Sequence, residues 1–392
     1  MALPLSYSWR NLLARGSRTA FTVAAIALVV VAITLFWSLL GSLKRTLVSS
    51  GSARNLVVMR KGATNDGSSQ LSLDAYQAVR YFEGIAKDGA GNPMVSPELV
   101  VQPFLYTKGG GRENVLVRGV ESQALGVHDE AHITQGRMIQ PSASEAVVGK
   151  IVAQRYQGTT VGSKVRFGNA DWTVVGILDS GGSSFESEIW VDARELANNA
   201  KRPLPYSGLR IRVADGADMD ALARRIADDP RWALQATREI DYYEDLAKSG
   251  RVLYVIVWIL AVLAGIGATF GATNNMYAAV QARTSEIGTL RALGFSRASI
   301  LSAFLAESVM TATFAFVIGA VVAWGLAIAI SASLGGIGFA SQTFTTNVVV
   351  LRVAPQDLLL PLALAVIVGV LGGLAPAAAA ARLRPVEALR KA

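Results

Sequence analysis

The chain has 392 residues, of which 52% are hydrophobic and 17% charged, with a formal net charge of +8 and no cysteine. The absent cysteines exclude disulfides and thiolate metal sites. The basic surplus is not a nucleic-acid footprint: the 12 basic and 4 acidic residues outside Lys44–Gly250 account for all of it, while 25 basic and 25 acidic residues inside that stretch cancel.

In chain order, Arg10, Arg15 and Arg18 precede an uncharged run from Thr19 to Leu43. About 20 apolar residues suffice to cross a bilayer as a helix, so this run predicts a first span. It exceeds the roughly 7 to 15 residues of a cleaved signal core, so retention is expected.

From Lys44 to Gly250, helical and strand patterns alternate between turn signals, which predicts a folded α+β domain inserted between spans 1 and 2. Strands are expected at Arg54–Arg60, Leu99–Tyr106, Asn114–Val120, Ala146–Val148, Lys164–Phe167, Trp172–Leu178, Glu188–Val191 and Gly208–Val213. The second and third are read as joined across Gly109, Gly110 and Gly111. Helical periodicity covers Leu73–Ile85, with Ser72 as cap, and Met219–Ile226. After Ile240 no proline interrupts the chain before the next apolar run, so a continuous helix through Gly250, acting as a stiff lever, is expected.

Further uncharged runs at Val252–Ala282, Ser308–Leu351 and Leu358–Ala381 predict spans 2 to 4. The third run ends in Gly335, Gly336, Gly338 and the polar Ser341–Asn347, where helix should give way to a short external loop. Basic residues flank these runs at Arg283, Arg291 and Arg297 (against Glu286) and at Arg382, Arg384, Arg390 and Lys391 (against Glu387). Lysine and arginine beside spans stay cytoplasmic, so both termini are expected inside a bacterial inner membrane and 44–250 outside. The fold class expected is a bundle of four transmembrane helices with an α+β extracytoplasmic domain. The domains are 1–43, 44–250 and 251–392, the last with a cytoplasmic loop at 276–299.

Catalytic signatures are lacking. Gly149 and Lys150 are followed by Ile151, which breaks any phosphate-cradling P-loop, and no G-x-S-x-G elbow occurs. His128 and His132 imitate a zinc-protease spacing, but Asp129 occupies the place of the general base, so a polar surface turn is expected and no metal site. The inserted stretch offers no polar constellation to specify a substrate. Glu307, close to span 3, is expected to reach water or Arg297. Spans without an ionisable midplane disfavour an ion-coupled carrier. Gly267 with Gly271, and Gly369 with Gly373, fit close helix packing, including packing between subunits.

The loop between spans 2 and 3 carries the most specific pattern. On a helix, Arg283, Ile287, Leu290, Arg291 and Gly294 share a face, suited either to a membrane surface or to a groove on a cytoplasmic partner. The sequence Glu286-Ile287-Gly288, then Leu290-Arg291-Ala292-Leu293-Gly294, then Ile300 and Glu307, resembles the coupling loop of FtsX-like and MacB-like ABC transporter permeases. Arg10-Asn11-Leu12 and Arg18-Thr19, and Pro376 with Pro385-Val386-Glu387-Ala388-Leu389-Arg390, are similar to the family's ends. Gly136-Arg137, Glu145 to Gly149, Val161-Gly162 and Thr173 to Ile177 resemble its periplasmic core.

The resemblance implies a non-catalytic permease subunit that dimerises with a second subunit and binds a separate cytoplasmic ATPase. ATP and magnesium would sit on that partner, with no cofactor on this chain. Arg283, Glu286, Ile287, Gly288, Leu290, Arg291 and Gly294 would dock it, or in a plainer role hold spans 2 and 3 together. ATP-driven flexing would then move the outer domain, for export with or without a periplasmic adaptor, for control of a cell-wall hydrolase, or for lipoprotein extraction. Membrane lipid is a further expected partner. A membrane-anchored sensor or scaffold is the rival from another class.

Overall fold

The computed structural model describes residues 16–248, 251–334, 336–340 and 346–384. In chain order, α1 (Gly16–Val48) leads to β1 (Asn55–Arg60), α2 (Leu73–Val79), β2 (Val95–Val101), β3 (Phe104–Tyr106), β4 (Arg112–Asn114) and β5 (Leu116–Val120). Next come α3 (Ala124–Val127), β6 (His132–Gly136), β7 (Glu145–Gly149), α4 (Lys150–Arg155), β8 (Lys164–Phe167), β9 (Ala170–Asp179), β10 (Glu188–Asp192) and α5 (Ala193–Asn199). Then follow β11 (Gly208–Arg212), α6 (Met219–Ala227), β12 (Leu234–Arg238), α7 (Glu239–Lys248), α8 (Arg251–Gln281), α9 (Thr284–Ala292) and α10 (Arg297–Leu334). The hairpin of β13 (Ile337–Ala340) and β14 (Thr346–Val349) precedes α11 (Leu359–Arg382).

Two compact units form: Met1–Gly41 with Val252–Ile330 and Leu351–Ala392, and Ser42–Arg251 with Ser331–Val350. In the helical unit, α1, α8, α10 and α11 are long and apolar enough to cross a membrane. Lipid supplies no hydrophobic drive between spans, so small residues that admit close backbones set the packing. Val23, Ile26 and Val30 of α1 meet Ala268 and Ala272 of α8, Ala312 and Ala315 of α10, and Ala365 and Val368 of α11. A Cβ at Gly369 would lie 3.0 Å from the Val309 Cα, one at Gly373 2.6 Å from the Ser308 Cβ, and one at Gly372 2.7 Å from the Ala272 Cβ. Thus α11 sits against α10 on one side and α8 on the other. Trp37 meets Tyr254 and Trp258 edge to face, at 5.6 and 6.3 Å, and the Tyr254 hydroxyl donates to the Leu40 carbonyl.

In the other unit a ten-stranded mixed sheet has the order β12-β1-β11-β2-β5-β10-β7-β9-β6, with β8 beside β9. β5 and β10 run parallel, as do β7 and β9. One core lies under β5, β7, β9 and β10 with α4 and α5; another joins β1, β2 and β11 to α2 and α6.

Several expectations are corrected. α2 stops at Val79 rather than Ile85, because Gly84 takes the left-handed region (φ +96°) and Ile85 bridges to Val213. The expected strand Leu99–Tyr106 starts at Val95 and breaks at Gln102-Pro103, since proline cannot donate to a ladder. Asn114–Val120 likewise divides, Val115 lying between β4 and β5. β6 is exposed and polar, so alternation does not reveal it; Gly136 (φ +75°) lets it close on β9, where a Cβ would lie 2.0 Å from the Val175 carbonyl oxygen. The loop after span 3 contains β13 and β14, paired antiparallel, whose glycine and polar surroundings read as loop. Val349 is buried with Leu43, Leu47 and Ala247. Of the expected lever, α7 ends at Lys248 and α8 begins at Arg251; Ser249 and Gly250 lie outside the described residues.

Candidate functional site

The loop between α8 and α10 is built around a buried ion pair. Arg283 leaves the helical region (φ −117°, ψ 21°) just before α9 and is 3% exposed. Its Nη1 donates to Glu307 Oε2 at 2.8 Å. Glu307 therefore reaches Arg283 rather than water or Arg297, because α10 begins at Arg297 and places it about three turns inside the helix. A charge taken from water needs such a partner, and losing one member leaves the other stranded.

α9 then packs by one face. Ile287 is 1% exposed and joins Met276 and Val280 of α8, Ile300 and Phe304 of α10, and Ala377 and Ala380 of α11. Gly288 is buried beside it. The helix ends in a Schellman turn: the Phe295 N–H donates to the Leu290 carbonyl at 3.1 Å and the Gly294 N–H to the Arg291 carbonyl at 3.2 Å. Gly294 holds the left-handed conformation this requires, φ +93°. Arg291 Nη1 donates to the Phe295 carbonyl, and the Ser296 hydroxyl accepts the Ser299 N–H to start α10.

The seven residues singled out in the sequence thus divide. Arg283, Ile287 and Gly288 turn inward; Leu290 and Arg291 are half-buried; Glu286 and Gly294 are exposed. The exposed face also carries Thr289 and Leu293, the latter 72% exposed. Thr289 and Leu293 were not among the seven. Their spacing from Glu286, three and seven residues on, is the signal that marks the other side of the helix. The glycine pairs divide too: Gly369 and Gly373 pack against α10, whereas no described residue lies within 4 Å of a Cβ placed at Gly267 or Gly271.

A polar constellation also exists in the sheet unit, contrary to expectation. Arg118 of β5 lies between Glu188 of β10 (Nε–Oε2 2.6 Å) and Glu98 of β2 (Nη1–Oε2 2.6 Å). Arg210 of β11 holds Asp66 at 2.7 Å and faces Glu239, the first residue of α7, at 3.4 Å. His128 is buried rather than on a surface turn, with Nε2 2.6 Å from Glu98 Oε1 and its ring against Phe185. Arg212 pairs with Asp129 and takes up Asn55 Oδ1. Burial opposes ionisation of Glu98, yet His128, Arg118 and Arg210 hold its carboxyl well below the usual range. Each of these polar residues sits within a strand or turn of ordinary composition, so only the sheet order reveals the cluster. Among the described residues no group of three His, Asp or Glu is arranged to hold a metal ion, and His132 is exposed at the start of β6.

Four apolar helices and a large mixed sheet inserted after the first define a polytopic membrane protein with an inserted α/β domain. The sequence matches the MacB-like periplasmic core domain over residues 19–229 and the FtsX-like permease C-terminal domain over 258–385. The chain belongs to the family of MacB-like and FtsX-like ABC transporter permeases. It is 24% identical to the pyoverdine export ATP-binding/permease protein PvdT of Pseudomonas savastanoi pv. phaseolicola, over 97% of this chain and 58% of that protein. It is 27% identical to the macrolide export ATP-binding/permease protein MacB 1/2 of Paracoccus denitrificans, over 72% of this chain and 43% of that one. The chain therefore spans about half the length of these relatives. Among solved structures, the periplasmic region of MacB from Actinobacillus actinomycetemcomitans aligns with a TM-score of 0.38 at 12% identity, covering 48% of this chain and 91% of that one. The extracellular domain of the transporter YknZ from Gram-positive bacteria aligns at 0.37 and 16%, covering 47% and 99%.

Proposed function

We infer that the chain is the permease component of an export system in a bacterial inner membrane, with both termini cytoplasmic and residues 44–250 outside. An ATP-binding domain beyond these 392 residues, carrying ATP and magnesium, docks on the loop at 276–299 and drives motion of the outer domain. Export is favoured over hydrolase control because the relatives above are named as export proteins. Within the loop, Glu286, Thr289 and Leu293 form the contact, while Arg283, Ile287, Gly288, Leu290, Arg291 and Gly294 fix its shape. A second permease subunit packs along Gly267 and Gly271, and anionic lipid meets the basic segments.

The observation that carries this reading is α9 itself: clamped on its inner face by a buried ion pair and an apolar cluster, it presents an exposed leucine between two spans. A rigid helix with an apolar anchor is the usual element for helix-in-groove recognition. The test is capture of the co-expressed ATP-binding protein in mild detergent. Leu293→Asp is expected to lower its recovery at least about tenfold, the size of an ordinary hot-spot loss. Undiminished capture by Leu293→Asp combined with Glu286→Lys would reject the assignment.

A further inference from the structure

Two of the chain's passages between spans and sheet meet at one buried carboxylate. Glu239, fully buried, opens α7, the helix that precedes α8 in sequence. Its Oε2 accepts the Ser52 backbone N–H at 3.0 Å and Asn55 Nδ2 at 2.8 Å. Ser52 belongs to the short link that carries the chain from α1 to β1. That link lies directly on the first turn of α7: a Cβ at Gly51 would sit 3.0 Å from the Tyr243 ring and 3.1 Å from the Glu239 carbonyl oxygen. Segments 187 positions apart are thereby joined through a single side chain.

The other oxygen is treated differently. Glu239 Oε1 and Arg210 Nε stand 3.4 Å apart, both buried, and neither makes a hydrogen bond among the described residues. The Tyr243 hydroxyl, one turn along α7, has no hydrogen-bond partner either. Here the carboxylate is shared between the link and the arginine, with a stronger grip on the link. A small shift of α7 would close the contact with Arg210, which is already anchored by Asp66. Glu239 thus ties the link to α7 with one oxygen while its other oxygen faces the anchored Arg210.

We propose that Glu239 is a positioning residue for force transmission: it fastens the link after α1 to the first turn of α7, so that displacement of either span-bearing helix enters the sheet as one movement. This rests on the ATP-driven motion inferred above.

The experiment uses the full chain with its co-purified ATP-binding partner in lipid nanodiscs, comparing backbone hydrogen exchange with and without ATP. The wild-type complex is expected to change exchange in β1, β11 and β12 when ATP is added. In Glu239→Gln that ATP-dependent change should fall at least about fivefold, the lower end of ordinary coupling factors. ATP turnover and ATP-free exchange should stay at wild-type values, which a merely structural role would not predict. Glu239→Asp, which restores the charge, should recover part of the response. Gly51→Ala, which pushes the link off α7 without touching the carboxylate, should reproduce the loss and serves if Glu239→Gln fails to fold. A wild-type response in both Glu239→Gln and Gly51→Ala overturns the proposal alone. A wild-type complex that hydrolyses ATP with no change in the sheet overturns the motion and the proposal together.

Discussion

Arg283 and Glu307 are 24 positions apart, on either side of α9, and their 2.8 Å hydrogen bond fixes the start of that helix to the third span. Their side chains are 4% and 12% exposed, so the pair is largely out of water. It converts a connecting loop into a fixed part of the bundle.

Removing one partner should therefore cost more than removing both. Glu307→Gln or Arg283→Met is expected to destabilise the detergent-solubilised chain by about 3 kcal/mol, and the double variant by less than either single change. Thermal unfolding of the three variants gives the coupling. Strict additivity would show that the pair contributes nothing as a pair.

The two glycine pairs should respond differently to bulk. Gly373→Leu places side-chain atoms where Ser308 already stands and should cost about 1 to 3 kcal/mol of bundle stability. Gly267→Leu with Gly271→Leu meets open space within the chain, so it should leave the melting temperature unchanged and weaken subunit association. Mass measurement in mild detergent reads the second effect. An unaltered dimer fraction would remove this face from consideration as the subunit contact.

Gly294→Ala should destabilise α9 by about 1 kcal/mol, because the left-handed backbone of the Schellman turn strains any residue with a Cβ. Exchange of the α9 amides is the direct measure, and wild-type protection there would refute the cost.

Acid should loosen the sheet unit through Glu98. Its folded-state carboxyl titrates below the unfolded value, so its contribution is fully present above the ordinary glutamate range of about 4.3 and declines as pH falls toward the folded value. The denaturation midpoint of the full chain should drop between about pH 5 and 3, and Glu98→Gln should flatten that dependence. Equal slopes for the two chains would assign acid sensitivity elsewhere.

How far the sequence could be read depended on which force shaped each element. The spans were legible because hydrocarbon demands long uncharged runs, and β8, expected at Lys164–Phe167, was found there because it alternates cleanly. β6 was hidden because its exposed polar residues carry no alternation, and β13 with β14 because glycines and polar residues within and beside them read as loop. Which of its two offered roles Ile287 takes was open, because an apolar stripe looks the same whether it faces its own bundle or a partner. Arg118, Arg210 and Glu239 were unreadable for a different reason: burial of a charge depends on which strands become neighbours, and that order is non-local.

Trp37, Tyr254 and Trp258 form one aromatic cluster, and amphipathic rings of this kind favour the headgroup level. From Ala20 to Trp37, α1 rises roughly 26 Å at about 1.5 Å per residue, close to the ~30 Å of a hydrocarbon layer. The helix then continues to Val48, about another 16 Å. At that level the trio would divide α1 into a part in oil and a part in water. In a bilayer of shorter acyl chains the same trio stays at the surface, so the helices must lean to keep their apolar length covered. Acyl-chain length thereby becomes a setting of the resting pose.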